Sequence, residues 1–158
     1  MMQKRIASLP TEIQAIQHEL SAKGLVKSGA MLKRVLATCK ASIEAQSQTV
    51  LAEYEWAVRQ ALFASQSWVE RLVVDASESL EHLYEATQGH IYKACHLAGT
   101  PELAVRLLRD LETTKVAAKD SIALSLRSRF AERSRGLIRG LPSLLSRVIS
   151  RIFGGGGA

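Results

Sequence analysis

The chain is poor in several residue types, and each shortage limits what it can be. Only two cysteines occur, Cys39 and Cys95, in no CxxC pair, so neither a disulfide framework nor a cysteine zinc module is predicted. Aromatic residues make up 5% of the sequence and prolines number three, which argues against a β-sandwich or barrel with its regular turns. Because no run of about 18 uninterrupted apolar residues is present, no transmembrane helix is predicted.

The sequence motifs of common catalytic sites are also missing. There is no GxSxG, Walker loop or GxGxxG, and the glycines of the C-terminal GGGGA lack a following Lys-Ser/Thr. The richest set of potential metal ligands is His82, His90, Cys95 and His96, without HxxxH or CxxC spacing. Glu78, Glu81 and Glu85 follow helical spacing and are interpreted as a solvated acidic face. We therefore predict no enzyme, no metal, no cofactor and no small-molecule substrate.

What the chain does have is helical periodicity. Pro10 suits a first helical turn and Gly24 a helix end, which predicts a helix from Pro10 to about Lys23. From Ser28 to about Leu97 apolar and small residues then recur at steps of three and four. The stripe is Leu32, Leu36, Cys39, Ile43, Ser47, Val50, Tyr54, Val58, Ala61, Ser65, Trp68, Leu72, Ala76, Leu80, Leu83, Thr87 and Ile91.

One helix of that length would measure roughly 100 Å at 1.5 Å per residue, so we expect a break within it. The segment VVDASES offers a capping box, Asp75 followed by Glu78, and the turn is therefore predicted near residues 73–76. Trp68 lies on the stripe and is interpreted as core. Trp56 lies off it and marks a second packing face or a contact site, with core favoured.

A clearer boundary lies in AGTPELAVRLL. Gly99 is predicted to end one helix, Thr100 to cap the next, and Pro101 to occupy its first turn. The next helix is predicted to reach about Arg135, on a stripe made of Leu103, Leu107, Leu111, Ala118, Ile122, Leu126 and Phe130. Gly136 and Gly140 weaken it, and Pro142 is predicted to start a separate short helix that ends at Phe153.

These patterns predict an all-α fold, an elongated bundle of four to five amphipathic helices with a C-terminal amphipathic helix. Residues 1–135 form the bundle, 136–153 a basic amphipathic tail helix and 154–158 a flexible glycine end. Many stripe positions are Ala, Ser or Thr, which give a thin core and favour a homo-oligomer. The start, MMQKRIASLPTEIQ, has no apolar region of a signal peptide, so a cytoplasmic location is expected, peripheral to a membrane or granule.

All of the excess charge lies at the C-terminal end. Residues 1–100 carry 10 Lys and Arg against 10 Asp and Glu, and residues 101–120 carry 4 against 4. Residues 121–158 carry 7 arginines against Glu132 alone, which accounts for the net charge of +6. The arginines are Arg127, Arg129, Arg133, Arg135, Arg139, Arg147 and Arg151. Because the planar guanidinium donates paired hydrogen bonds to phosphate, they are the predicted anion-binding residues.

The tail segment is amphipathic on a helical wheel. One half carries the predicted surface-binding residues Leu137, Ile138, Leu141, Leu144, Leu145, Val148, Ile149, Ile152 and Phe153. Arginines and serines occupy the other half. Such a helix can lie at an anionic lipid interface with its apolar half buried. Its length of roughly 25 Å and its three arginines argue against spanning a bilayer.

Other partners fit the same pattern. A half-apolar helix also closes a bundle, docks in a groove of another protein or joins two copies. The arginines also suit nucleic acid, although only Phe130 interleaves them and no recognition module is visible. The leading hypothesis is a non-enzymatic scaffold bound to an anionic lipid or apolar granule surface. The alternatives are a protein–protein assembly component and, less favoured, a small basic nucleic-acid-binding accessory protein.

Residues from about Ala41 to Arg135 resemble phasins, the helical proteins that coat bacterial polyester storage granules. The resemblance rests on the amphipathic stretch SWVERLVVDASESLEHLYEATQ and on GTPELAVRLLRDLETTKVAAKDS, which looks like that family's short turn opening a new helix. It covers about 60% of the chain. The resemblance implies a coat on a granule or lipid surface, with no catalytic residues.

Overall fold

The structure is a computed structural model that describes the backbone of residues 2–61 and 64–153 and the side chains of residues 6–61 and 64–135. Every regular element in these ranges is helical. The helices are α1 (Met2–Ala22), α2 (Gly29–Gln60), α3 (Gln66–Ala98), a 3-10 turn (Pro101–Leu103) and α4 (Ala104–Phe153). The predicted all-α bundle is confirmed. Residues 154–158, the predicted flexible end, lie outside the described residues.

The bundle is built around the antiparallel pair α2 and α3. In the described part of the chain α4 packs against both of them, α1 also packs against both, and α1 and α4 do not contact each other. Helices α1 and α4 therefore occupy opposite grooves of the α2–α3 pair. One continuous core runs between them, with Met31, Ile43, Leu80, Leu111 and Leu126 fully buried.

Helix α1 is longer than predicted, because it begins at Met2 instead of Pro10. A proline inside a helix removes one backbone hydrogen bond and costs about 3 kcal/mol. The turn before it offsets that cost by packing, since Leu9 is 1% exposed and Ile6 lies against the core. The predicted end is confirmed: Gly24 has a φ of 69°, and the Leu25 N–H donates to the Leu20 carbonyl at 2.8 Å.

The turn between the second and third helices was predicted in the wrong place. It lies between Gln60 and Gln66, not near residues 73–76. Ser65, predicted as a stripe position, is exposed there, and its Oγ accepts a hydrogen bond from the Trp68 N–H at 3.2 Å as a helix N-cap. Val73 and Ala76 lie within α3 and are buried at 9% and 0% exposure. Core packing thus keeps VVDASES helical despite its cap-like sequence.

The boundary before α4 is confirmed in position, although one detail of its capping differs. Gly99 is left-handed with a φ of 75°, and Pro101 begins the 3-10 turn. The Thr100 side chain makes no capping bond, and its buried Oγ1 has no hydrogen-bond partner in the described part of the chain. Leu103, predicted on the buried stripe, is 36% exposed because it belongs to that turn.

Helix α4 is a single helix from Ala104 to Phe153, so the separate helix predicted to start at Pro142 is not a separate element. The apolar pattern explains the continuity, because it passes from Leu126 through Leu137 to Leu141 at helical spacing without a change of phase. Glycines reduce helix stability by about 1 kcal/mol each without forcing an end. The predicted boundary at residue 136 therefore does not coincide with a helix terminus.

Candidate surface-attachment site

The predicted anion-binding arginines with described side chains lie where α4 passes the end of α2 and the start of α3. Arg133 is the most deeply integrated of them. Its Nη1 donates to the carbonyl oxygens of Val58 at 2.5 Å and Arg59 at 2.7 Å. These are carbonyls of the last turn of α2, which has no following turn to bond them. Arg133 thus caps α2 and fixes the level at which α4 passes it.

Arg127 is paired with Glu70 on α3. Its Nε and Nη2 donate to the two carboxylate oxygens at 2.9 and 2.7 Å, in the bidentate geometry that suits a guanidinium. The hydrogen bond from Arg127 lowers the pKa of Glu70. Since both side chains are about half exposed, at 55% and 41%, the pair orients α4 on α3 more than it stabilises the fold.

Arg129 lies between two carboxylates, Glu55 of α2 at 3.5 Å and Glu132 of α4 at 3.4 Å. Glu55 is largely covered, with 15% of its side chain exposed, and also accepts a hydrogen bond from the Ser125 hydroxyl at 3.1 Å. Helix α4 is therefore tied to α2 here by a small polar network. The guanidinium of Arg129 is partly neutralised by these carboxylates.

Arg135 differs from the other three. It is exposed, and its side chain makes no hydrogen bond or ion pair with the described part of the chain. It lines a surface cleft of about 480 Å³ between the first turn of α3 and α4, together with Gln66 and Phe130. Of the four predicted anion-binding arginines described here, Arg135 is thus the one whose charge stays available to an external anion.

The rest of the predicted site lies on the extension of α4, which we define as residues 136–153. It continues the helix for 18 residues past Arg135, roughly 27 Å at 1.5 Å per residue. The nine predicted surface-binding apolar residues and Arg139, Arg147 and Arg151 belong to this extension. Their side chains lie outside the described residues, so their role stays a prediction.

Sequence reasoning missed a partly buried charged cluster between α3 and α4. Lys115 lies on the buried face of α4, with 9% of its side chain exposed, and its Nζ donates to Glu81 Oε2 of α3 at 2.9 Å. Lys119 bonds the other oxygen of Glu81, and the Lys115 ammonium stands 4.1 Å from the centre of the Tyr84 ring. Glu81, predicted on a solvated acidic face, is 40% exposed and is paired with both lysines, whereas Glu78 and Glu85 are exposed. The spacing of Lys115 could have indicated this cluster. Lys115 falls four residues after the buried Leu111 and therefore lies on the same face of α4.

Trp56 is also placed differently from the prediction. The sequence favoured a core role, but Trp56 is 62% exposed near the end of α2. Trp68 is half-buried and packs against the core, close to expectation. The indole of Trp56 therefore leaves a large apolar surface in contact with water.

The described side chains offer little for catalysis or metal binding. No group of three or more His, Cys, Asp and Glu residues in this part of the chain could hold a metal ion. Burial raises the pKa of the Cys39 thiol to about 12 and also raises the pKa of Cys95, so neither is a ready nucleophile near neutral pH. Burial, together with the charge of Lys93, lowers the pKa of His90.

A search of the described helices for one long and apolar enough to cross a membrane found none. Comparisons with protein-family models, with curated proteins and with solved structures returned no match. The resemblance to phasins therefore rests on the sequence pattern alone, and functional inference rests on the geometry of this chain.

Proposed function

We propose that this chain is a non-enzymatic helical scaffold that attaches to an anionic apolar surface, a membrane or a granule, through the extension of α4. The observation that carries the proposal is the continuity of α4. Arg133 holds the helix at the end of α2, and the same helix continues for 18 residues with a half-apolar, arginine-bearing sequence. A rigid bundle would thus present a basic amphipathic helix beyond its hairpin end.

The contacts of the arginines indicate which of them would bind surface phosphates. Arg127, Arg129 and Arg133 hold α4 on the bundle, so their guanidinium groups are largely used within the protein. Surface phosphates would instead be bound by Arg135 and by the three arginines of the extension. These four lie at the distal end of α4, next to the apolar residues that would enter the interface.

The energies are sufficient for reversible attachment. Burying half of a helix of this length releases several kcal/mol at about 25 cal/mol per Å² of apolar surface. Each arginine near an anionic surface adds about 1 kcal/mol. The sum corresponds to peripheral binding that depends on lipid charge and weakens as salt rises.

The test is co-sedimentation with vesicles of anionic and of neutral lipid, comparing the full chain with a chain that ends at Gly136. We expect the full chain to bind, more strongly to anionic vesicles, and the shortened chain to stay in solution with unchanged helical circular dichroism of its bundle. Equal binding by the two chains, or no binding by either, would refute attachment through the extension.

The nucleic-acid alternative is less favoured, because three of the four described arginines are bonded within the protein. A protein–protein role has one specific observation in its favour, the exposure of Trp56.

A further inference from the structure

The bundle has four helices at one end and three at the other. Helix α1 runs antiparallel to α2, and Arg34 Nη1 of α2 donates to Glu19 Oε2 of α1 at 2.8 Å. From Glu19 back to Met2 is 17 residues, roughly 26 Å of helix. The same rise along α2 from Arg34 leads to Leu51, so α1 begins near the level of Leu51. Helix α2 continues to Gln60, beyond the reach of α1.

Trp56 marks the place where this coverage stops. Helices packed in a bundle repeat their contact positions about every seven residues. Val35 and Ser42, which stand 21 and 14 residues before Trp56, are buried at 0% and 6% exposure, at levels that α1 covers. Trp56 occupies the same position of the repeat and is 62% exposed. Trp56 thus lies at a position that α1 would cover if α1 began about one turn earlier.

The first turns of α3, at the same end of the bundle, also carry apolar side chains that are not fully covered. Trp68 and Leu72 are half-buried, packed against the core on one side and open on the other, as is Tyr54 of α2. We define the shelf as Tyr54, Trp56, Trp68 and Leu72. On α2, Tyr54 and Trp56 line a surface hollow of about 570 Å³. Glu53 lines this hollow, and Asp75 lines a second hollow on α3 with Trp68 and Leu72. Burial and the charges of Asp75 and Glu53 raise the pKa of Tyr54.

The fold puts the extension of α4 in position to reach such a shelf on another molecule. Helices α4 and α1 occupy opposite grooves of the α2–α3 pair. Each extension therefore continues along the side of the pair opposite the shelf of its own chain, and past its end. Two copies that meet at their hairpin ends, about a two-fold axis perpendicular to the helices, place each extension in line with the partner's shelf. The contact is then reciprocal, as closed symmetric dimers require.

Length and charge agree with this arrangement. The extension of roughly 27 Å is long enough to cross the junction and lie along the last three turns of the partner's α2. Its far end carries Arg147 and Arg151, which would approach Glu53 and Asp75 at the inner end of the shelf.

We infer that the shelf binds residues 137–153 of a second copy of this chain, so that the protein is an end-to-end dimer in solution. The extension completes the partner's four-helix cross-section where α1 stops. The apolar half of the extension cannot contact the partner's shelf and a lipid surface at the same time. The dimer and the surface-bound form are therefore alternatives, and an anionic surface competes with the partner's shelf for the same segment.

Sedimentation equilibrium over a range of protein concentrations tests this inference with the full chain. Trp56→Glu should raise the dimer dissociation constant about 30-fold or more, because an exposed tryptophan at an interface centre contributes strongly to affinity. Leu124→Glu is the matched control, since Leu124 is 72% exposed on α4 away from the shelf. It should leave the dimer intact. Ile149→Asp and the chain ending at Gly136 should both be monomers.

A full chain that stays monomeric at all concentrations would overturn the inference, as would equal effects of Trp56→Glu and Leu124→Glu. Circular dichroism checks that each variant is folded, and the Ile149→Asp arm decides the matter if Trp56→Glu is not. The outcome is separable from vesicle attachment. A dimer without vesicle binding contradicts only the surface function, and a vesicle-binding monomer contradicts only the dimer.

Discussion

At the scale of single residues, the four arginines of α4 between residues 127 and 135 divide into two groups that the sequence cannot distinguish. Arg127, Arg129 and Arg133 are bonded to α2 and α3, whereas Arg135 is exposed next to the extension. All four have the same charge and lie within nine positions of one another. Their roles differ because of which carboxylates and carbonyls the fold brings to them.

Arg133→Ala should therefore reduce the stability of the fold, whereas Arg135→Ala should reduce binding to anionic vesicles. Loss of Arg133 leaves the Val58 and Arg59 carbonyls without their charged donor and should lower the free energy of unfolding by about 1–2 kcal/mol, measured by urea denaturation. Loss of Arg135 should leave stability unchanged and weaken binding to anionic vesicles about fivefold. If Arg133→Ala weakened vesicle binding without changing stability, the division of roles would be wrong.

The residue scale also explains why sequence reasoning missed the charged cluster between α3 and α4. Lys115 sits on the buried stripe of α4 and Glu81 beside it on α3, but their pairing depends on the rotation of two helices that are far apart in sequence. A helical wheel shows each residue near an apolar boundary. It does not show that the two boundaries face each other.

At the scale of helices, the α2–α3 hairpin is held by a cap that lies ten residues from the predicted one. Ser65→Ala removes the acceptor of the Trp68 N–H and should destabilise the fold by about 1 kcal/mol in urea denaturation. Asp75→Ala is the comparison, because Asp75 is exposed in the middle of α3. That change should shift stability by less than about 0.5 kcal/mol. The reverse order would place the turn near residue 75 after all.

Periodicity predicted the helices well and their ends less well. The stripe of α2 and α3 contains Cys39, Ile43, Leu80, Leu83 and Ile91, all buried, because a 3.6-residue repeat is a direct consequence of helix geometry. The ends depended on tertiary packing. Leu9 keeps a helix going across Pro10, and Val73 and Ala76 keep one going across a cap-like sequence, so local signals were outweighed by burial.

At the scale of the whole molecule, several ion pairs connect separate helices and make stability depend on acidity. Hydrogen bonds from Lys119 and Lys115 hold the pKa of Glu81 below 4.5, and basic partners likewise lower the pKa of Glu19 and of Glu70. A carboxyl whose pKa is lower in the folded state stabilises the protein above its unfolded-state pKa. That stabilisation is lost as the pH falls through the folded-state value.

The urea midpoint should therefore fall as the pH drops below about 4.5. Glu81→Gln should reduce the steepness of this fall, because Gln cannot titrate. Glu78→Gln, on the exposed side of the same helix, should leave it nearly unchanged. Parallel pH profiles for Glu81→Gln and the original chain would show that the α3–α4 charges contribute nothing to acid sensitivity.

The molecule as a whole consists of a bundle tied together by polar pairs and a helical extension that continues α4 past the described side chains. Every buried core residue lies between Leu9 and Leu126 in the described part of the chain. We propose that the extension is the attachment segment and that it exchanges between a second copy and a surface.

The most direct test of surface attachment places the same charge on the two faces of the extension. Leu145→Asp lies on the apolar half of the helical wheel and Ser146→Asp on the polar half, one residue away. Binding of both variants to anionic vesicles is measured beside that of the original chain. We predict that Leu145→Asp abolishes binding and that Ser146→Asp retains most of it. Equal losses in the two variants would show that charge alone drives binding and would contradict insertion of an apolar face.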